Sequence, residues 1–286
     1  MDDLDLWYHE LDLPANTTKK IAALRGRELT RVAQQECGLD LSGEETKVDE
    51  KGSRLRFTNR GGYWIHPVDL RDLPGHGKGG LEPGGILDGV QTDVPTLLLS
   101  ECCLIYLSPP DADAVLNYLT GLFPATTPLG IVIYEPIHPH DAFGRTMVAN
   151  LTARGIELQT LEEHATLAAQ RDRLRRFGFG APNAGTEDEG GGGGGEGAPG
   201  DRGAAGAMDM DFMWRHWVDP GEQQRVVSLE WLDEVEELVL MAQHYCVAWG
   251  WRDGGEGGAR AERAFSGWRA LRCQVGASWR DSATMP

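Results

Sequence analysis

The stretch PTLLLSE, residues 95–101, constrains the fold more than any other: an apolar run of strand length stops on a carboxylate, Glu101, and a helix follows. That helix, SPPDADAVLNYLTGLF, carries its own start signals, with Ser108 to cap it, Pro109 in the first turn and Asp111 complementing the dipole. The pattern recurs. LWYHELDLP reads as a strand ending in Asp12 and stopped by Pro14; Tyr63 to Val68 reads as a strand leading into Asp69; GIVIYEP is a buried strand ending in Glu135. Strands alternating with helices imply an α/β domain with a mostly parallel sheet. Ligands in such sheets sit beyond the carboxyl ends of the strands, where all four acids fall. An acid there accepts hydrogen bonds from a ligand's hydroxyl or amino groups. It serves equally well as a loop residue or a helix cap.

The intervening segments have helical periods. TTKKIAALRGRELTRVA places Ile21 and Leu24 inward, and DAFGRTMVANLTARG spaces Phe143, Met147 and Leu151 by four. LEEHATLAAQRDRLRRFGF is expected to open on a Thr160/Glu163 capping box and to close on arginines. SLEWLDEVEELVLMAQHY puts Leu232, Val235, Val239 and Ala242 on one face, and HYCVAWGW reads as a final strand. Residues 38–60 read as polar loop and 74–93 as a Gly/Pro-rich loop, whose GKGG lacks the following helix of a phosphate loop. The expected organisation is a core over 1–182, a disordered Gly-rich insert over 183–207, a return to the same domain over 208–251, and a disordered tail over 252–286.

Composition narrows the partners. Lys+Arg 27 against Asp+Glu 44 leaves a net charge of −17, which disfavours nucleic-acid backbones and anionic membranes. The five cysteines, Cys37, Cys102, Cys103, Cys246 and Cys273, show no CxxC or Cys/His ligand spacing, so neither a disulfide framework nor a metal site is expected. A reducing, cytoplasmic compartment fits that usage. The acidic start, MDDLDLWYHE, has no apolar h-region of a signal peptide, and no apolar run reaches membrane-spanning length. Cys102, Cys103, His244 and the nine tryptophans are expected to pack rather than react.

YHELDLP, VDLRDL, PTLLLSECCLIYLSPPDADAVLNYL, IVIYEPI, DAFGRTMVANLTARG and SLEWLDEVEELVLMAQHYCVAW together resemble the leucine carboxyl methyltransferase family, from about Leu6 to about Trp249. The resemblance implies a class I, Rossmann-like S-adenosylmethionine-dependent fold with helices on both faces of the sheet. It implies methyl esterification of the C-terminal leucine carboxylate of the protein phosphatase 2A catalytic subunit, whose C-terminal tail is then the partner. S-adenosyl-L-methionine would be the methyl donor, with no metal and a monomeric enzyme. By the same resemblance Asp12 holds the cofactor's ribose, Asp69 and Leu70 flank its adenine, Glu101 meets its amino group, and Tyr106 lines the substrate pocket. Glu135 takes no role from it.

The sequence departs from that family at its start and in the glycine/tryptophan tail after Trp251. The family's first strand and its GAGxDT-type turn, with an arginine and a lysine nearer the N-terminus, match nothing here. The unmatched strand is central in the family's sheet, between those ending at Asp12 and Glu101. The expectation is an incomplete gene model with little or no methyl transfer of its own. Two alternatives stay open: a non-catalytic methyltransferase-like fragment or protein-binding module, and the family's tRNA wybutosine branch, which the charge and the length both disfavour. A dehydrogenase reading lacks a GxGxxG after a strand.

Overall fold

The computed structural model describes residues 6–24, 31, 35, 39–40, 48–49, 52–57, 61–180, 203–229, 235–254, 264–265, 267–268 and 271. The chain divides into two units, Met1–Thr92 with Ala114–Leu122, and Asp93–Asp113 with Phe123–Pro286.

In the first unit, β1 (Leu6–Asp12) leads into α1 (Pro14–Leu24). Four more strands follow: β2 (Leu39–Asp40), β3 (Val48–Asp49), β4 (Gly52–Phe57) and β5 (Gly61–Pro67). The sheet order is β1-β5-β4-β2, with β3 also on β4. β1 and β5 run parallel, from Leu6↔Gly61 to Asp12↔Pro67, whereas β4 is antiparallel to β5. Ile21 and Leu24, three apart on α1, pack on buried Tyr63 and Ile65, as their helical spacing requires. The rest of the helix expected up to Ala33 lies almost wholly outside the described residues. Residues 38–60 were expected to be loop. They instead supply three short antiparallel strands, because SRLRF alternates with the period of a strand although its composition is polar. The Gly/Pro-rich stretch folds as helical turns, Leu70–Asp72, α2 (Leu73–His76) and Gly77–Leu81, and Tyr118 Oη donates to the Gly77 carbonyl at 2.9 Å.

The second unit holds β6 (Thr96–Glu101), the start of α3 (Pro109–Leu122), β7 (Leu129–Pro136), α4 (Ala142–Thr152) and α5 (Leu167–Arg176). After the undescribed residues 181–202 come β8 (Gly203–Asp209), α6 (Met210–Trp217), α7 (Pro220–Val227), α8 (Val235–Gln243) and β9 (Tyr245–Arg252). The order is β6-β7-β9-β8. β6 and β7 are parallel; β9 is antiparallel to both β7 and β8. The expected mostly parallel sheet is therefore a mixed one, with two of the seven pairings among described residues parallel. The reason is local. Ile137 N–H donates to the His244 carbonyl at 2.9 Å, so β9 begins where β7 ends and has to run back along it.

Each sheet has an open side. Among the described residues β1 pairs only with β5, and β6 only with β7. Leu97 and Leu99 of β6 are 49% and 62% exposed, and Leu6, Trp7 and Tyr8 of β1 are exposed as well.

Helices cover both faces of the second sheet. α5 brings Leu174, followed by Phe179, against the face of Ala207, Cys246 and Gly250. On the other face Met208, Trp249, Trp251 and Phe265 form a cluster joined by Phe212, Met213 and Trp217 of α6 and by Trp268 and Leu271. Two glycines make this possible. A Cβ on Gly206 would lie 2.4 Å from the Trp249 ring and one on Gly130 2.5 Å from Phe265, so each ring lies against bare backbone.

Several boundaries move. Residues 203–207, assigned to the insert, are most of β8: Gly206 leaves room for the Trp249 indole and Ala204 packs in the same cluster, a packing requirement that composition hides. Phe265, placed in a disordered tail, is 7% exposed. α5 begins at Leu167 rather than at the Thr160/Glu163 box, because Thr166 caps it by accepting from Ala169 N–H. α6 and α7 were not anticipated. On α8, Val239 and Ala242 are half-buried as expected, Leu232 lies outside the described residues, and Val235 is 51% exposed. It stands in the first turn, where no described element covers it.

Candidate functional site

The acids at the strand ends occupy four different environments. Asp12 ends β1. One of its oxygens, Oδ1, accepts from Leu13 N–H at 2.7 Å and from the Asn16 amide at 3.0 Å, which fastens the start of α1. Oδ2 has no partner among the described residues and is available to a hydroxyl group. Asp69 lies on the same sheet edge, because Asp12 pairs with Pro67 and Val68 N–H donates to the Asp12 carbonyl at 2.8 Å. Its carboxylate is already engaged. It caps the Leu70–Asp72 turn by accepting from Arg71 N–H at 3.0 Å, and both oxygens take guanidinium hydrogens of Arg71. That pairing holds its carboxyl below the usual carboxylate range. Leu70 follows, half-buried, in the turn.

Glu101 ends β6 in the second unit, exposed and without a hydrogen bond to any described residue. The backbone turns sharply after it. Cys102 adopts φ 43°, a left-handed conformation uncommon outside glycine, and its N–H still donates to the Tyr134 carbonyl at 2.8 Å. The tight turn Leu104–Tyr106 buries Leu104 and Ile105 and leaves Tyr106 44% exposed. Gln159 holds this turn, donating its backbone N–H to the Ile105 carbonyl and its side-chain amide to the Tyr106 carbonyl at 2.7 Å.

Two more phenols meet here. Strand register puts Tyr134 beside Glu101 on one face, and Tyr245, at the start of β9, stacks on Tyr134 with ring centroids 5.4 Å apart. Burial pushes all three phenols up, and they are neutral at pH 7. Sequence reasoning reached Tyr106 and missed Tyr134 and Tyr245. Both stand in strands already recognised, but only the register of β7 against β6 and β9 shows that they share Glu101's face.

Glu135 belongs to another environment. It points to the opposite face and is fully buried, its Oε2 taking a hydrogen bond from Arg173 Nη1 at 2.9 Å, with Arg173 also fully buried. Burial pushes its carboxyl up against the opposing pull of Arg173. It anchors the core and does not face the ligand edge. His164 beside it is pushed down to about 3 by burial and by Arg173 and Arg176. His244, expected to be structural, is so: Nε2 meets Asp141 Oδ2 at 2.9 Å and Nδ1 meets the Leu240 carbonyl at 2.7 Å. Asp141 also caps α4 by accepting from Gly144 N–H at 2.7 Å. Cys102 and Cys103 are half-buried and Cys246 fully buried, none of them in a disulfide with a described residue; Cys37 and Cys273 lie outside the described residues. Among the described residues no cluster of His, Cys, Asp or Glu has the form of a metal site. No helix among them is long and apolar enough to cross a membrane.

Carboxylates stand at the carboxyl ends of parallel strands in each of two α/β units, the end of the strands where α/β sheets commonly bind their ligands. No family model matches the chain. Several curated relatives share one name. It is 47% identical over 277 residues to leucine carboxyl methyltransferase 1 of Emericella nidulans, covering 94% of this chain and 62% of that protein. It is 44% identical to leucine carboxyl methyltransferase 1 of Aspergillus fumigatus, over 95% of this chain and 64% of the other. The protein of the same name from Bos taurus is 29% identical over 88% of this chain and 64% of its own length. The chain is thus similar to leucine carboxyl methyltransferase 1 of several organisms and spans under two thirds of the length of these relatives. Among solved structures, an O-methyltransferase family protein from Burkholderia thailandensis aligns over 88% of this chain and 45% of its own, at 14% identity and a TM-score of 0.37, a loose likeness.

Proposed function

We propose that this chain serves the S-adenosylmethionine-dependent methyl esterification of a protein's C-terminal leucine carboxylate, on a class I methyltransferase fold. The observation that carries this reading is the match to proteins of that name along 94% of the chain, with Asp12 and Glu101 keeping carboxylate oxygens open at strand ends. The acceptor is read as the tail of the protein phosphatase 2A catalytic subunit and the compartment as the cytoplasm.

Each unit, taken by itself, offers a carboxylate oxygen that suits a group of the cofactor. When bound, S-adenosylmethionine supplies an electrophilic methyl group on a sulfonium. Asp12 Oδ2 would accept from the ribose hydroxyls, and Glu101 would pair with the amino group. Asp69 is held by Arg71, so it and Leu70 would border the adenine as a fixed edge. Tyr106 would line the acceptor's side. A C-terminal carboxyl has a pKa of about 3.3–3.7, so the nucleophile is already ionised at pH 7 and no general base is needed. The chain's task is then to hold the acceptor carboxylate in line and to exclude water, and orientation of this kind supplies up to about 7–11 kcal/mol. Glu101 positions; it moves no proton.

Calorimetric titration with S-adenosylhomocysteine tests the reading. Stoichiometric binding, weakened at least tenfold in Glu101→Ala and in Asp12→Ala, is the expected result. Binding that neither substitution changes would refute the assignment of both acids.

A further inference from the structure

α5 turns Gln170 and Arg173, three residues apart, to the same side, and both side chains are fully buried. They meet Glu135 of β7, and the stretch between α4 and α5 adds Thr160, fully buried as well. Direct bonds hold part of this cluster. Arg173 Nη1 donates to Glu135 Oε2 at 2.9 Å; Gln170 Nε2 reaches the same oxygen at 3.5 Å and the His164 carbonyl at 3.3 Å. His164 N–H donates to the Thr160 carbonyl at 3.1 Å, which places Thr160 one turn from that contact.

The other polar atoms of the cluster have no hydrogen-bond partner among the described residues. They are Glu135 Oε1, Gln170 Oε1, Thr160 Oγ1, Arg173 Nε and Arg173 Nη2. Ile105 N–H faces the Glu135 carboxylate, yet Oε1 stays without a hydrogen bond. Covalent geometry keeps most of these atoms together. Glu135 Oε1 shares a carbon with the bonded Oε2, Gln170 Oε1 with the bonded Nε2, and the two Arg173 nitrogens share the guanidinium carbon with the bonded Nη1. The Gln170 amide is oriented by the two acceptors that its nitrogen meets, so its Oε1 is an acceptor. Arg173 leaves unused the edge on which two N–H groups lie parallel. Buried polar groups of this kind are satisfied by protein or by ordered water.

Charge decides what completes the cluster. Glu135 and Arg173 cancel each other, and His164, pushed down to about 3 by burial and by Arg173 and Arg176, is neutral. An added anion would meet Glu135 Oε1 and Gln170 Oε1, and an added cation would meet the Arg173 edge. Water both donates and accepts, carries no charge, and makes about three hydrogen bonds when buried.

We propose that Glu135, Arg173, Gln170 and Thr160 form an interior hydration site that binds about two water molecules, at about three bonds each for the five atoms. The waters accept from Arg173 Nε and Nη2 and donate to Glu135 Oε1, Gln170 Oε1 and Thr160 Oγ1. They bridge the ion pair without separating it, since the direct bond at 2.9 Å stays. β7 turns Tyr134 toward Glu101 and Glu135 the other way, so the waters lie behind the strand end and key α5 to it.

The test is a crystal structure of this chain at a resolution that shows ordered water, grown once with chloride and once with bromide. The expected result is density about 2.7–3.2 Å from the Arg173 edge and from Glu135 Oε1, without an anomalous bromide peak. In solution, the Arg173 Nε–H proton is expected to show a nuclear Overhauser contact with water, of the sign that marks a long-lived molecule. Thr160→Val keeps the side chain's shape and removes its hydroxyl; the water beside it should be lost while the one on Arg173 remains. An Arg173 fork that clasps both Glu135 oxygens directly, with no density between, overturns the proposal. So does a bromide peak, which would make the site an anion's, and so does an Arg173 proton without contact to water.

Discussion

Arg173→Met isolates the buried ion pair. Arg173 and Glu135 are both fully buried and joined at 2.9 Å, so removing the guanidinium leaves a carboxylate inside a core with no opposite charge. Removing one partner of such a pair costs about 3–5 kcal/mol. At about 2–4 °C per kcal/mol for a body of this size, Tm should drop by about 6–20 °C. The pair itself is imperfectly compensated: Arg173 Nε and Nη2, Glu135 Oε1, Gln170 Oε1 and Thr160 Oγ1 are buried with no hydrogen-bond partner among the described residues. Replacing both partners, Arg173→Met with Glu135→Leu, should therefore recover most of the loss. pH separates the variants further. Without Arg173 the folded-state pKa of Glu135, already raised by burial, climbs again above its unfolded value near 4.5. The stability of the single variant is then fully present below that unfolded value and is lost as pH rises through the folded one. Urea denaturation of wild type, single and double variants, followed by tryptophan fluorescence across pH 4 to 8 (a range of about four units chosen to bracket that shift), checks each point. A single variant that loses less than about 1 kcal/mol with no pH slope would refute the reasoning, because Glu135 would then be hydrated.

Phe265→Ala should destabilise the second unit by about 3–5 kcal/mol, since its ring lies on Gly130 inside the tryptophan cluster; a thermal melt equal to wild type would place the ring in solvent. Asp141→Ala removes the α4 cap and the His244 contact, for an expected loss of about 1–2 kcal/mol by chemical denaturation at pH 7. Because Asp141's carboxyl lies below its ordinary 3.8, its contribution is present above that value and is lost as pH falls through the lower folded one; wild type and variant should converge in acid.

The parts of the fold that were legible are those whose signal is local. β1, β6, β7 and β9 were each readable as an apolar run with a clear stop, and Ser108 and Asp141 carry recognisable cap chemistry. Direction was not local. β9's antiparallel course depends on the His244 corner meeting Ile137, which no residue type announces. β8 was hidden for a physical reason: its glycines and alanines resemble a linker until an indole lies on them. For the candidate site, Asp12 and Glu101 stood out as acids at strand ends, and Glu135 looked the same although it points to the other face. The period of two was visible in GIVIYEP, but which parity faces solvent depends on what covers each side. Tyr134 and Tyr245 were lost to that ambiguity.

The position of β9 has a consequence for how the chain is made. β7 and β8 do not touch each other as strands; each pairs with β9, which is synthesised after both. A ribosome emits the N-terminal part first, at about 5–20 residues per second, and domains commonly fold as they emerge. Here the second unit has to wait. Until Arg252 has left the exit tunnel, the Leu129–Pro136 edge lacks its partner, and Phe265 and Trp268 arrive later still. β9 is an inner strand made after both of its neighbours, so this unit closes only once β9 has emerged, and the nascent chain carries an apolar strand edge open to chaperones until then.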